Sequence, residues 1–333
     1  MNFEIISRLG TIKANNSCSQ FPLEIVWPPY RRSAVFILLF VGLNGELRVL
    51  LTRRSRKIRS FSGDVSLPGG KADNIKETCM DIARRETFEE IGLPQDDHIL
   101  ESKYNIKLEN LCNGKWPCYL SKNFLSVKPT IWFMHNNNST TSNNNKYSEP
   151  LKLKKWFGHL NDGETSSIFS IPLKDAISVK TQSSLPHEYS RFKEIGYKWG
   201  GISRNILYYY YDTNSPNFHE VSWLKDIGDM SSDEEYNSGS ISENIKVKKL
   251  WGLTAQILYD IASVGYQTDP LLLPNKSISD KTNRIIGHET LLYGLHEFAH
   301  QMNSSKRSKW EKDMIANNPK AKFDQVIPVF YTK

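Results

Sequence analysis

Long apolar runs and low-complexity polar runs alternate along this chain. The longest apolar run, 35–43 with Gly42 near its end, fits a buried strand. It falls well short of the roughly 18 to 20 residues that a membrane span needs. The stretch AVFILLFVGLNGELRVLLT at 34–52 holds two apolar runs divided by Asn44-Gly45, and that order predicts a β-hairpin. Residues 76–91 carry good helix formers and no internal Gly or Pro, with Gly92 and Pro94 placed to end the helix. Strands are expected at 127–134, 168–171 and 206–211, and LWGLTAQILYDIASV at 250–264 has the apolar periodicity of a buried helix.

The polar runs change the reading of length. NNNSTTSNNN at 136–145 is low-complexity, and DIGDMSSDEEYNSGSISEN at 226–244 is acidic and Ser-rich; both are expected as exposed, mobile loops. A chain of 333 residues is about twice the roughly 150-residue domain prior, but such inserts lengthen a chain without adding core. The expected organisation is an N-terminal segment at 1–31, one domain at 32–265 with inserts near 100–122, 135–150 and 221–248, and a C-terminal extension at 266–333.

Composition excludes several classes. With 39% hydrophobic and 24% charged residues, the chain is not collagen-like, coiled-coil or wholly disordered. The N-terminus lacks the basic-then-apolar order of a secretory signal, so an intracellular, soluble protein is expected. Cys18, Cys79, Cys112 and Cys118 form no Cys-x-x-Cys pair and are too sparse for a disulfide framework, which predicts reduced thiols. The 43 Lys and Arg against 36 Asp and Glu give a net charge of +7, which favours an anionic partner: a phosphorylated metabolite, nucleic acid or a membrane surface.

Charge is distributed unevenly, and that narrows the chemistry. RRSRKIRSFSGDVSLPGGK at 53–71 clusters Arg53, Arg54, Arg56, Lys57 and Arg59 just ahead of Gly69-Gly70. Arginine forks suit phosphate oxygens. On the helix that follows, Glu86, Glu89 and Glu90 fall at about 0°, 300° and 40°, an arc roughly 100° wide. Like charges at that spacing repel in a bare helix, and a divalent cation removes the conflict. Arg85 can pair with Glu89 one turn on or brace Glu86.

Gly69-Gly70-Lys71-Ala72-Asp73, Glu77 and Arg85-Glu86-Thr87-Phe88-Glu89-Glu90-Ile91-Gly92-Leu93 together resemble the Nudix box, G-x5-E-x7-R-E-U-x-E-E-x-G-U with U apolar. The glycine falls one step early, at Gly70 beside Lys71, and Thr87 replaces the usual apolar residue. Leu50-Leu51-Thr52-x-Arg54-Ser55-x3-Arg59-x3-Gly63-x3-Leu67-Pro68-Gly69-Gly70 is similar to the motif of the coenzyme A diphosphatase family within that superfamily, with Leu67 for Phe. Val127-x-Pro129, 168–173 (IFSIPL) and 251–255 (WGLTA) look like further segments of it.

The resemblance implies an α/β fold, a Nudix α/β/α sandwich with a mixed sheet, polar insertions and a C-terminal helical extension. It implies metal-dependent hydrolysis of the diphosphate of coenzyme A and its oxidised or acyl derivatives to 3′,5′-ADP and 4′-phosphopantetheine. Mg²⁺ or Mn²⁺ would be the cofactor, held by Glu86, Glu90, Glu89 and Gly70, with Glu86, Arg85 and Glu89 as the catalytic group. Arg54, Ser55, Arg59 and Gly63 would bind substrate, and Glu77, Asp162 and Glu164 are additional acids near the site. The partner is then a small molecule, not nucleic acid or a membrane, with the oligomeric state left open. The resemblance implies a peroxisomal address, although the ending Tyr331-Thr332-Lys333 is not of the Ser-Lys-Leu type, and Asn15-Asn16 after Arg8-Leu9 does not complete an N-terminal signal.

Alternatives remain at this point. An oxidised nucleoside triphosphate diphosphatase would carry the same box, and a non-catalytic binding module would have lost its carboxylates. His296-Glu297-Phe298-Ala299-His300 is a literal HExxH, the zinc-peptidase pattern, but the residues that should continue it are absent. A packing or surface role in a C-terminal helix is expected for it.

Overall fold

The computed structural model describes residues 1–11, 27–113, 115–137, 145–177, 192–212, 247–267 and 286–332. The expectation for 226–244, most of that for 136–145, and those for Cys18 and Asn15-Asn16 lie outside the described residues.

The 34–52 hairpin forms as β1 (Arg32–Val41) and β2 (Leu47–Arg54), antiparallel with Val41 opposite Leu47. Gly45 takes φ 77° in the turn, a value open to glycine at no steric cost. β1 is buried on both faces, which is why its sequence is a run and not an alternation. Ala34, Phe36, Leu38 and Phe40 enter one core, while Ile37, Leu39 and Val41 enter another.

Around this hairpin an eight-stranded sheet assembles. It contains β3 (Val65–Ser66), β4 (Gly69–Lys71), β5 (Ile106–Asn110), β6 (Tyr119–Leu120), β7 (Ser126–Asn136) and β8 (Thr165–Pro172). Its main path runs β3-β2-β1-β7-β5, with β4 also on β1, β6 on β7 and β8 on β2. The β1–β7 pair is parallel and its neighbours antiparallel, so the sheet is mixed as expected. A second sheet of three strands joins β9 (Phe192–Trp199), β10 (Ile202–Asp212) and β11 (Val247–Trp251).

Helices cover both faces. α1 (Asn2–Gly10), α2 (Cys79–Ile91), α3 (Asp97–Tyr104) and α4 (Gly252–Tyr266) precede two C-terminal helices, α5 (Glu289–Phe298) and α6 (Lys309–Ile315). α2 packs Cys79, Ile82, Ala83 and Ile91 on the Phe36 face. α4 packs Ile257, Leu258 and Ile261 on the Ile37 face, together with Ile5, Ile6 and Leu9 of α1.

The boundaries differ from expectation in four places. The box helix begins at Cys79 and not at 76, because Thr78 and Asp81 form a reciprocal capping box there. The 250–264 helix begins at Gly252, since Leu250 and Trp251 pair with β10. Residues 100–122, expected as an insert, supply the end of α3 and strands β5 and β6 of the main sheet. Residues 1–31, expected as a segment ahead of the domain, bury α1 in its core; Arg8 Nη1 also donates to the Gly265 carbonyl at 2.9 Å.

The C-terminal extension is helical, as expected, and builds a third core with Trp27, Phe124 and Trp199 around Leu292, Leu295 and Phe323. Cys79, Cys112 and Cys118 are buried thiols. No described helix is long and apolar enough to cross a membrane.

Burial of α1 has a measurable consequence. Leu9 is fully buried, so Leu9→Ala should lower unfolding free energy by about 2–5 kcal/mol in urea denaturation. A loss below about 1 kcal/mol, the range of surface substitutions, would make α1 peripheral.

Candidate active site

α2 meets two close glycine contacts, one at its C-terminus and one on its Glu86 face. At its C-terminus Gly92 adopts φ 74°, and a Cβ there would stand 2.9 Å from Gly158 Cα. That close approach brings in the loop after 156: the Asn161 amide donates to the Glu90 carbonyl at 3.0 Å, and Trp156 donates to Ile91. On the other side, β4 pairs with β1, setting Gly70 opposite Ala34 and Gly69 opposite Val35. A Cβ on Gly70 would lie 2.2 Å from Glu86 Oε1, so the glycine loop presses directly on that carboxylate.

Glu86 and Glu90 face this loop one turn apart. Glu90 is 5% exposed, and its Oε2 accepts from the Gly69 amide at 3.3 Å. Burial pushes the Glu90 carboxyl up to about 8; Arg54 and the Gly69 amide oppose the rise, while Glu86 and Glu164 add to it. Burial also raises Glu86, against Arg85, with Glu89 and Glu164 adding to the rise. Two carboxyls are thus held where their charged forms are disfavoured unless a cation joins them.

Arg85 organises the carboxylates behind this pair. Its Nε donates to Glu77 at 2.8 Å, Nη1 to Glu86 at 3.1 Å and to Glu89 at 2.9 Å, and Nη2 to the Lys71 carbonyl at 2.8 Å. Burial opposes its charge, but the bonds to Glu77 and Glu86 prevail and raise its pKa. Burial likewise works against the Glu77 carboxylate, and the bonds from Arg85 and the Asp73 amide outweigh it and hold the carboxyl below its usual range. Glu77 therefore braces Arg85. Glu89, expected as a metal ligand, is half exposed and turned to Arg85. Thr87 fills the apolar position of the pattern because its hydroxyl is satisfied internally, donating to the Ala83 carbonyl at 2.6 Å.

The basic motif divides by role. Arg54 sits beside Glu90 electrostatically, and its Nε is buried with no hydrogen-bond partner. Arg56, Lys57 and Arg59 are exposed. Gly63 takes φ 73° and closes the 54–64 loop through its amide to the Arg54 carbonyl at 3.2 Å, where Arg53 Nε also donates to the Gly63 carbonyl. Ser55, expected to bind substrate, is 4% exposed and committed to the protein: its hydroxyl donates to the Asp162 carbonyl at 2.9 Å and its amide to the Glu164 carbonyl at 2.7 Å. It fixes the loop that carries Asp162 and Glu164. Of these two acids, Glu164 is the one whose charge acts on both Glu86 and Glu90.

Sequence reasoning missed Arg32 and Ser33. The Ser33 hydroxyl donates to the Gly70 carbonyl at 2.5 Å, a contact set by the β1–β4 register and carried by no motif. Among the described residues, no three His, Cys, Asp or Glu side chains surround one ion position. A hard divalent ion does not require three; it is commonly held by one or two carboxylates plus water and substrate phosphates. Glu86 and Glu90, with a raised Glu90 and a glycine loop that leaves no room for a Cβ, fit that pattern.

The HExxH stretch does not form a zinc site. α5 ends at Phe298, Ala299 leaves the helix at φ −95° and ψ 59°, and His300 begins a separate 3-10 turn. The two imidazoles thus do not share a helical face. His296 lies 6.4 Å from the Trp27 ring, within the packing of the C-terminal extension.

Two outcomes follow, the first for the metal-free protein and the second for metal binding. A Glu with a folded pKa above its unfolded one contributes stability that is complete below about pH 4.5 and lost as pH rises through about 8. Thermal unfolding in chelator should therefore fall over that window for the wild type and less for Glu90→Gln; equal falls would rule out Glu90. Gly70→Ala should fold but displace the flexible Glu86 carboxylate, weakening Mn²⁺ binding by about 10- to 100-fold in a titration, whereas unchanged binding would separate Gly70 from the site.

Comparison with known proteins agrees with this geometry. The NUDIX domain profile matches residues 30–168. Peroxisomal coenzyme A diphosphatase 1 of Saccharomyces cerevisiae is 44% identical over 315 residues, covering 92% of this chain and 88% of that protein. Nudix hydrolase 15, mitochondrial, of Arabidopsis thaliana is 30% identical over 243 residues, 73% of this chain and 61% of that protein. Nudix hydrolase 22, chloroplastic, also of Arabidopsis thaliana, is 27% identical over 272 residues, 80% of this chain and 68% of that protein. With its box helix, glycine loop and buried carboxylate pair in place, the chain belongs to the Nudix hydrolase family.

Proposed function

We propose that this enzyme hydrolyses the diphosphate of coenzyme A and of its oxidised or acyl derivatives, with Mg²⁺ or Mn²⁺, in the peroxisome. The observation that carries the reading is the placement of Arg54, from the coenzyme A motif, against Glu90 of the box helix. A cation and a buried carboxylate set together at the exit of β2 suit a substrate whose anionic phosphates join a metal to a guanidinium. The 44% identity to a peroxisomal coenzyme A diphosphatase supports both substrate and compartment.

Nudix hydrolases generally work with divalent metal ions. Held by Glu86 and Glu90, such an ion would neutralise the diphosphate and make a bound water more acidic. Arg54 binds a phosphate oxygen, and exposed Arg59 extends the basic surface of the same loop. Glu164, fixed through Ser55, accepts the proton of the attacking water. Water oxygen bonds to one phosphorus as the bridging P–O bond breaks, and the released proton completes the balance between two phosphomonoesters, 3′,5′-ADP and 4′-phosphopantetheine. Arg85 and Glu77 orient Glu86 throughout.

Incubating purified protein with coenzyme A and Mg²⁺ and separating the products tests this reading. Both phosphomonoesters should appear, chelator should abolish them, and Glu90→Gln should lower kcat by about 100-fold or more. Arg54→Ala should raise KM for coenzyme A by about 10-fold, the scale of a lost charge-assisted phosphate bond. Oxidised nucleoside triphosphates cleaved in preference to coenzyme A would replace this substrate assignment.

A further inference from the structure

The box loop between β4 and α2, residues 72–78, has a second anchor beyond Arg85. Arg32, the first residue of β1, is 8% exposed. Its Nη2 donates to the carbonyls of Asn74 at 3.2 Å and Ile75 at 3.0 Å, and its Nη1 donates to the Glu77 carbonyl at 3.3 Å. The Arg32 carbonyl accepts from the Ala72 amide at 3.0 Å. One residue thus binds the loop at both ends. Glu77 then passes the constraint forward, since its carbonyl is held by Arg32 and its carboxylate holds Arg85, which holds Glu86.

The residues just before Arg32 are bound to the C-terminal extension. Trp27 lies in the extension's core. The Tyr30 hydroxyl donates to the Asn303 carbonyl at 2.6 Å. Arg31 is paired with the fully buried Glu311 and donates to the Ser304 carbonyl at 3.1 Å. Glu311 is itself fixed at the start of α6, where its Oε2 accepts from the Ser308 amide at 2.9 Å. A buried ion pair of this kind adds little net stability compared with apolar packing, but it fixes a geometry.

We propose that Arg32 is a positioning residue for the metal-binding carboxylates, and that the C-terminal extension holds it in place through Arg31 and Glu311. This rests on Glu86 and Glu90 as the metal ligands. It gives residues 286–332 a part in the reaction without any contact with substrate. Lysine cannot replace Arg32 in this scheme, because one ammonium cannot reach carbonyls that the fork meets from two separate nitrogens.

Mn²⁺ alone, followed by calorimetry or electron paramagnetic resonance, and hydrogen exchange of the metal-free full chain provide the test. Arg32→Lys should weaken Mn²⁺ binding by about 10-fold or more and speed amide exchange at 72–78. At saturating substrate its kcat should fall while KM for coenzyme A stays within about twofold, a split that a general loss of stability would not produce. The paired change Arg31→Met with Glu311→Met removes both partners of the buried pair, leaving only the partly exposed Arg307 beside it, and should shift Mn²⁺ affinity and exchange in the same direction. If Arg32→Lys does not fold, Arg32→Gln, which likewise lacks the fork, takes its place in the same measurements. Wild-type Mn²⁺ affinity and exchange in both variants would overturn the proposal; an effect of Arg32→Lys alone would overturn the part given to the extension. A wild-type protein that binds no Mn²⁺ would overturn the ligand assignment beneath it, a result distinct from equal binding by wild type and variants.

Discussion

Everything in this molecule that bears on chemistry depends on the mutual repulsion of carboxylates on one helix. Glu86, Glu89 and Glu90 repel one another on the last turns of the helix, and one of them is buried as well. Arg85 relieves part of that repulsion from behind, through Glu77, Glu86 and Glu89. The part it does not reach, between Glu86 and Glu90, is left facing the glycine loop and Arg54. The protein thus keeps an electrostatic deficit at the place where a cation and a diphosphate both fit.

The scaffold is arranged to hold that deficit. β1 pairs with β4 and β7 in a register that sets Gly70 beside Glu86, and a one-residue slip would move Gly70 away from Glu86. The Gly92–Gly158 approach fixes the other end of α2 and carries the 161–164 loop toward it. Ser55 completes the arrangement by joining the exit of β2 to that loop.

How much of this was legible in the sequence depended on how local the signal was. The hairpin, the box helix and the β7 strand each have a period or a turn pair confined to a few residues; the hairpin and β7 form where expected, and the helix ends where expected. The helix start moved because a capping box at Thr78 outweighed the helix propensity of Lys76 and Glu77. α1 carries little signal in the sequence, because its three buried residues, Ile5, Ile6 and Leu9, form too short a pattern. The resemblance groups Arg54, Ser55, Arg59 and Gly63 as one substrate-binding set. Burial then divides it, with Arg54 toward Glu90, Ser55 tied to a distant loop and Arg59 in solvent. Contacts such as Arg32 to Asn74, or Ser33 to Gly70, join positions about forty apart through sheet register, and no pattern in a single sequence carries that.

The three described cysteines gain a meaning from the proposed substrate. Oxidised coenzyme A is a disulfide, and an accessible thiolate on the enzyme would attack it, leaving the cofactor's pantetheine arm covalently attached. Cys79 is the first residue of the box helix, and Cys112 and Cys118 lie within the β5–β6 connection, each buried. Burial keeps these three thiols out of exchange with the sulfur end of a disulfide substrate while its phosphate end is cut.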